Sequence, residues 1–255
     1  MGVRLERDGA VAEVVLDRPD KLNAFDDAMV REMHEALDGV EGARAVIVRA
    51  EGRAFCAGRD LATAQPGTED GEAVLNEQFN PLLMRLYLLP VPTFAAVQGA
   101  ALGVGLGVAL ACDVVYVADN AKVGSPFAQL GAVLDSGAHV HFVDRLGAHR
   151  ALELIYTGRL LSGGDAAAVG LVNEAVPGDT LLDTVRRVAA TVASGPTFAF
   201  AQSKSIVHEV AAGRRDPADV MRLEAAAQGR ASRTADYAEG MTAFLEKRTP
   251  NFSGA

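Results

Sequence analysis

The chain has no tryptophan, two cysteines in 255 residues and only 5% aromatic residues. Cys56 and Cys112 lie far apart, outside any metal-ligand or redox spacing, so both are expected to be reduced thiols. Positive charge is also in deficit. Twenty-four Lys and Arg against 33 Asp and Glu give a net charge of −9, which argues against a nucleic-acid footprint. A phosphate-bearing small ligand needs only a local basic patch, and that is not excluded. An unbroken apolar run is missing too. The uncharged stretch from Leu86 to Cys112 is interrupted by Pro90 and Pro92, and Gly103, Gly105 and Gly107 lower its helix propensity. No basic cluster flanks it and Asp113 closes it, so a membrane span is not expected. The opening MGVRLERDGAVAEV lacks an apolar signal core and an Arg/Ser-rich presequence, and the cytoplasm is the expected location.

What remains is 49% hydrophobic and 22% charged, the composition of a soluble globular chain with a sizeable core. Val11–Leu16 reads as a strand, with Val3–Leu5 its hairpin partner across Asp8-Gly9. Asp26 and Asp27 are the caps of an amphipathic helix through Leu37. Strands are predicted at Ala45–Val48, Thr93–Val97, Val114–Val117, Lys122–Val123 and Val172–Ala175. Helices are predicted through Val74–Leu86, up to Leu146, and at His149–Thr157, Gly163–Ala168 and Thr180–Ala193. Strands alternating with helices indicate an α/β fold. Composition shifts at Ser194-Gly195-Pro196. Residues 1–195 are read as the core, and 196–255 as a helical part with breaks at Gly213–Pro217 and near Ser232.

The stretch VQGAALGVGLGVALACD, Val97 to Asp113, stands out. A tight turn at Gln98-Gly99 and a helix starting near Leu102 would offer bare backbone and unpaired N–H groups to a ligand developing negative charge. The competing reading, in which the glycines only allow close helix packing, stays open at this level.

LDRPDKLNAF at 16–25, AVIVRAEGRAFCAGRDL at 45–61, AAVQGAALGVGLGVALACDVVYVADNAKVGSP at 95–126 and LGAVLDSGA at 130–138 fall in an order that resembles the crotonase, or enoyl-CoA hydratase/isomerase, superfamily. TGRLLSGGDAAAVGLVNEAVP at 157–177 and FLEKRTPNF at 244–252 extend the likeness over essentially the whole chain. The resemblance implies a spiral of ββα turns, a C-terminal helical trimerisation region, assembly as a homotrimer or dimer of trimers, and an acyl-CoA thioester as ligand. Coenzyme A would enter as part of the substrate; no permanently bound cofactor and no metal are implied. It also implies that the N–H groups of Ala57 and Val104 hold the thioester oxygen. Lys21, Ala24, Gly58, Arg59, Asp60, Leu61, Gly103, Phe127 and Leu134 would surround the substrate. Lys21 and, less directly, Lys247 are candidates for the nucleotide end of coenzyme A. Asp60 is expected to fix its loop by accepting nearby N–H groups rather than to react.

Hydratases of the family add water with two glutamates, and the matching positions here are Gly107 and Phe127. Neither can move a proton. Asp135 matches the place where several family isomerases carry a carboxylate, and one base suffices to shift a double bond. Its pKa is expected to be raised by the apolar neighbours Phe127, Val133 and Leu134. The bland alternative is that Asp135 caps the helix that follows. His139, four residues on, is a possible partner for a proton shuttle, or a surface or subunit-contact residue like His141. The two do not make a metal site. The leading expectation is a double-bond isomerase of enoyl-CoA or ring-type acyl-CoA. An atypical hydratase and a non-catalytic acyl-CoA carrier or sensor are the alternatives.

Overall fold

The computed structural model of the protein describes residues 2–64 and 67–255. Strands β1 (Val3–Asp8) and β2 (Val11–Leu16) form the expected hairpin, and every residue of the valine-rich β2 is buried. β3 (Ala45–Ala50), β4 (Thr93–Val97), β6 (Val114–Ala118) and β9 (Glu174–Val176) extend it in the order β1-β2-β3-β4-β6-β9. All pairs after the hairpin are parallel. Parallel strands need crossovers, and helices supply them. The first, α1 (Asp27–Asp38), starts where Asp26, in extended backbone, accepts the Met29 N–H at 2.9 Å. It buries Met29, Val30, Met33, Ala36 and Leu37. The second crossover is helical from Gly71 to Tyr87, as α2 (Gly71–Val74), a π-helical turn over Leu75–Phe79, and α3 (Asn80–Tyr87).

A smaller sheet, β5 (Ala100–Leu102), β7 (Lys122–Gly124) and β8 (Leu161–Ser162), runs in the order β5-β7-β8. Ala100–Leu102 was expected to lead directly into helix. It is instead held extended by pairing with β7, and α4 (Val104–Leu110) begins two residues later than the glycine pattern suggests. The expected strand at 172–175 is likewise displaced. Asn173 bonds Val115 in both directions, its N–H to the carbonyl at 3.0 Å and its side-chain oxygen from the Val115 N–H at 2.8 Å. Regular pairing of β9 therefore starts only at Glu174.

Helices α5 (Ala138–Leu146), α6 (Ala148–Thr157), α7 (Gly163–Ala168) and α8 (Leu181–Ala193) follow. α8 lies on the large sheet with Leu181, Val185, Ala189 and Ala193 buried. The chain ends in α9 (Thr197–Ala211), α10 (Pro217–Ala231) and α11 (Ala235–Glu246). Arg44 ties this part to the core, donating to the Gly195 carbonyl at 2.6 Å, the Thr197 hydroxyl at 3.0 Å and the Phe252 carbonyl at 3.0 Å. Among the described residues no helix is long and apolar enough to cross a membrane.

Candidate active site

Residues 55–59 leave the large sheet and run beside β5. The Cys56 N–H donates to Ala100, and the Leu102 N–H donates back to Cys56, both at 2.9 Å. This pairing carries the chain to the entrance of α4. A Cβ built on Gly58 would lie 3.1 Å from the Leu102 carbonyl oxygen, and one on Gly103 would lie 4.0 Å from the Gly58 Cα. Two segments more than forty residues apart therefore meet at the start of one helix.

Backbone hydrogen bonds decide which amides are free there. Phe55 donates to Gln98 at 2.8 Å, Cys56 to Ala100, Ala57 to Leu22 at 3.0 Å, Gly58 to the Cys56 Sγ at 3.3 Å, and Asp60 to Phe25 at 2.8 Å. Ala57 was expected to hold a substrate oxygen, and this is corrected: its N–H is spent on the Leu22 carbonyl. Arg59 carries the one N–H of the 55–60 segment with no hydrogen-bond partner among the described residues. Its guanidinium is turned away into a two-pronged pair with Glu69, both contacts 2.6 Å.

Val104 is the first residue of α4, so its N–H has no partner within the helix. Gly103 precedes it at φ 52°, ψ −124°, a conformation L side chains rarely adopt, and this aims the helix start at Gly58. The Phe127 ring closes the other side: its Cζ would stand 3.4 Å from a Cβ on Gly103. A sequence motif identifies the segment, but only the accounting of N–H partners separates Arg59 from Ala57, and that depends on a loop near residue 22.

The remaining expected residues divide into those at the site and those supporting it. Asp60 accepts the Ala62 N–H and an Arg18 N–H, each at 3.0 Å, and these bonds hold its carboxyl below the ordinary range. It is a loop brace. Lys21 is exposed on a short turn, Pro19–Lys21, and its charge contributes to the lowering at Asp60. Ala24 is buried, its carbonyl accepting from Arg18 at 3.0 Å. Leu61 is 59% exposed on the turn after Asp60, and Leu134 is buried. Lys247 ends α11 in left-handed backbone.

Asp135 sits just outside α5, half-buried, and burial raises its carboxyl against opposing effects from the Ser136 hydroxyl and His139. Two details of the expectation change. Val133 is 79% exposed and forms no wall, so the apolar surroundings come from elsewhere, with Leu134 buried beside it. Asp135 does not cap α5 either. The cap is Gly137, and the carboxyl instead accepts the Ser136 hydroxyl at 2.7 Å. Ser136 in turn lies against α4, where a Cβ on Gly107 would fall 2.6 Å from the Ser136 Cβ. Loop 135–136 is thus seated one turn along the helix that begins with the free Val104 amide. Ser136 thus links the Asp135 carboxyl to α4.

His139 is exposed on the first turn of α5. His141 is pushed down to about 4 by burial and the nearby Arg145. Burial pushes the Cys56 thiol up to about 12, the behaviour of a packing residue rather than a nucleophile. Among the described residues no group of three or more His, Cys, Asp or Glu is placed to hold a metal ion. A cavity of about 580 Å³ lies away from this site, between β1–β2, α8 and the C-terminal tail.

Fold and site together define an α/β protein of the crotonase type. An enoyl-CoA hydratase of known structure from Bacillus anthracis superposes with a TM-score of 0.91 at 29% identity, covering all of both chains. The chain belongs to the enoyl-CoA hydratase/isomerase family, whose model matches residues 6–255. A Rhodobacter capsulatus protein named "probable enoyl-CoA hydratase" is 39% identical over 254 residues, covering 99% of this chain and 98% of its own. The 1,2-epoxyphenylacetyl-CoA isomerase of Escherichia coli is 36% identical over 252 residues, covering 96% and 95%. Both hydratase and isomerase names thus occur among relatives of similar distance.

Proposed function

We propose that the protein is an acyl-CoA double-bond isomerase working through an enolate. Asp135, ionised, removes a proton from the carbon beside the thioester of a β,γ-unsaturated substrate. The electrons move onto the thioester oxygen, which the Arg59 and Val104 N–H groups receive. The protonated Asp135 then returns the proton to the γ carbon, leaving an α,β double bond. Two preset donors aimed at a developing oxyanion lower such a barrier by several kcal/mol. The observation that carries the reading is a half-buried carboxyl with a raised pKa, hydrogen-bonded by a serine that packs on the same helix whose first N–H is unpaired. Gly107 and Phe127 supply no second group to activate water.

The isomerase named among the relatives acts on an aromatic-derived acyl-CoA, which favours a ring-bearing substrate here as well. Exposed Lys21 is assigned to the phosphates of coenzyme A, and the helical C-terminal part to self-association as a trimer or a dimer of trimers in the cytoplasm.

The test is an absorbance assay of the conjugated thioester with 3-enoyl-CoA. Asp135→Asn should lower kcat by about 100-fold or more, the scale of lost general acid–base catalysis. Wild-type turnover in that variant would refute the assignment. The hydratase names among the relatives motivate the second arm. Loss of 2-enoyl-CoA absorbance through added water would favour hydration, and tight binding without turnover of either substrate would favour a carrier.

A further inference from the structure

The helix position where a proton carrier is absent is filled, and by something specific. A Cβ on Gly107 would stand 2.6 Å from the Ser136 Cβ and 2.8 Å from the Ser136 carbonyl oxygen, with Leu83 Cδ1 3.5 Å away. No side chain of any kind fits there while Ser136 keeps its place. Ser136 is buried and holds left-handed backbone at φ 57°, a conformation uncommon for a non-glycine residue. Its hydroxyl donates to Asp135 Oδ1 at 2.7 Å. Bare α4 backbone, a strained serine and a carboxyl are thus stacked in contact order.

We infer that Ser136 is a positioning residue for Asp135, and that Gly107 is required because Ser136 occupies the space above it. This rests on the isomerase reading and goes beyond it by naming what orients the base. Contact with α4 fixes the Ser136 backbone, and the fixed hydroxyl selects one orientation of the Asp135 carboxyl, leaving Oδ2 for the substrate proton. A hydrogen bond to an ionised carboxylate also favours the charged form. The hydroxyl therefore opposes the upward push of burial on the Asp135 carboxyl. Of the other groups facing Asp135, His139 on α5 acts in the same direction, and Val104–Leu110 of α4 carries no titratable side chain. On the same geometry Gly107→Glu does not create a hydratase. It expels Ser136.

The experiment pairs Ser136→Gly with Ser136→Ala. Glycine accepts the left-handed backbone and alanine does not, so an effect common to both belongs to the hydroxyl rather than to strain. In both variants kcat should fall about tenfold at neutral pH with KM nearly unchanged, the worth of one hydrogen bond to a charged group. The acid limb of the rate profile and the Asp135 carboxyl titration, followed by carbon NMR, should both move to higher pH. An Asp135 titration that does not move in Ser136→Gly overturns the inference, as does a titration that moves with kcat unchanged. Asp135→Asn, run alongside, separates the two levels. If it keeps wild-type turnover the isomerase reading fails and Ser136 with it, whereas a dead Asp135→Asn beside a fully active Ser136→Gly sinks the positioning role alone.

Discussion

Glu13 and Asp135 are both carboxyls withdrawn from water, and their surroundings settle them in opposite directions. At Glu13 burial pushes the pKa up, but hydrogen bonds from Arg186 and Arg49 override it and hold the group below its ordinary range. The Arg186 contacts are 2.6 and 2.9 Å, and Arg49 is itself buried. At Asp135 burial prevails over the Ser136 hydroxyl and His139. Linkage turns this into opposite pH dependences. Glu13 contributes stability above the ordinary carboxylate range, and that contribution is lost as pH falls through its lowered value. Asp135 works the other way: stability declines as pH rises from the ordinary carboxylate value through its raised one. Glu13→Gln should therefore destabilise by about 3 kcal/mol at neutral pH, because Arg49 loses a buried counter-charge. That deficit should shrink on acidification. Urea unfolding at a series of pH values checks both parts, and a deficit independent of pH would show that the Arg49 cluster is not held by charge.

At the scale of elements, the site depends on how closely α4 approaches the 55–59 segment. A Cβ on Gly105 would lie 2.5 Å from the Cys56 carbonyl oxygen and 2.6 Å from its Cβ. Gly105→Ala must push the helix start away from Arg59, at a cost of about 1–3 kcal/mol typical of overpacking. On the proposed mechanism the displaced amide receives the thioester oxygen, so kcat should fall by more than the rise in KM. Thermal melts and steady-state kinetics on one preparation test this, and an unchanged kcat would mean that the Val104 amide is not used. The glycine pattern made this helix legible in the sequence, as the side-chain cap at Asp26 did for α1. Hydrophobic alternation located the larger strands. Ala100–Leu102 was not legible as a strand, since two alanines and a leucine carry no strand signal and only pairing with β7 extends them. Nor was Arg59 separable from Ala57, because the partner that occupies the Ala57 amide comes from the loop at Leu22. Contacts between distant segments leave no periodicity to read.

For the whole molecule, the open matter is what holds the C-terminal helices to the core. α9 buries only Thr197 of its fifteen residues, so packing contributes little along its length. Polar anchors do more: the Lys204 ammonium meets Asp113 at 2.9 Å and the Val91 carbonyl at 3.2 Å. The His208 ring stacks on Tyr87 of α3, with centroids 3.9 Å apart. Asp113 is also the residue that closes α4 onto β4, accepting the Thr93 N–H at 2.8 Å. The anchor of the arm and the end of the site helix are one carboxylate. Burial, reinforced by the Lys204 charge, lowers the His208 pKa against the pull of Asp113. A histidine that prefers to stay neutral when folded stabilises the docked arm above its ordinary value of 6.5, and this is lost as pH falls below it. Acidification from about pH 7 to pH 5 should therefore speed amide exchange in residues 197–211 before it affects β2 or β3. His208→Phe keeps a ring to stack on Tyr87 and removes the proton site, so its exchange in α9 should not accelerate over the same interval. Equal acceleration in both proteins would show that the acid sensitivity of the arm does not come from the His208 proton.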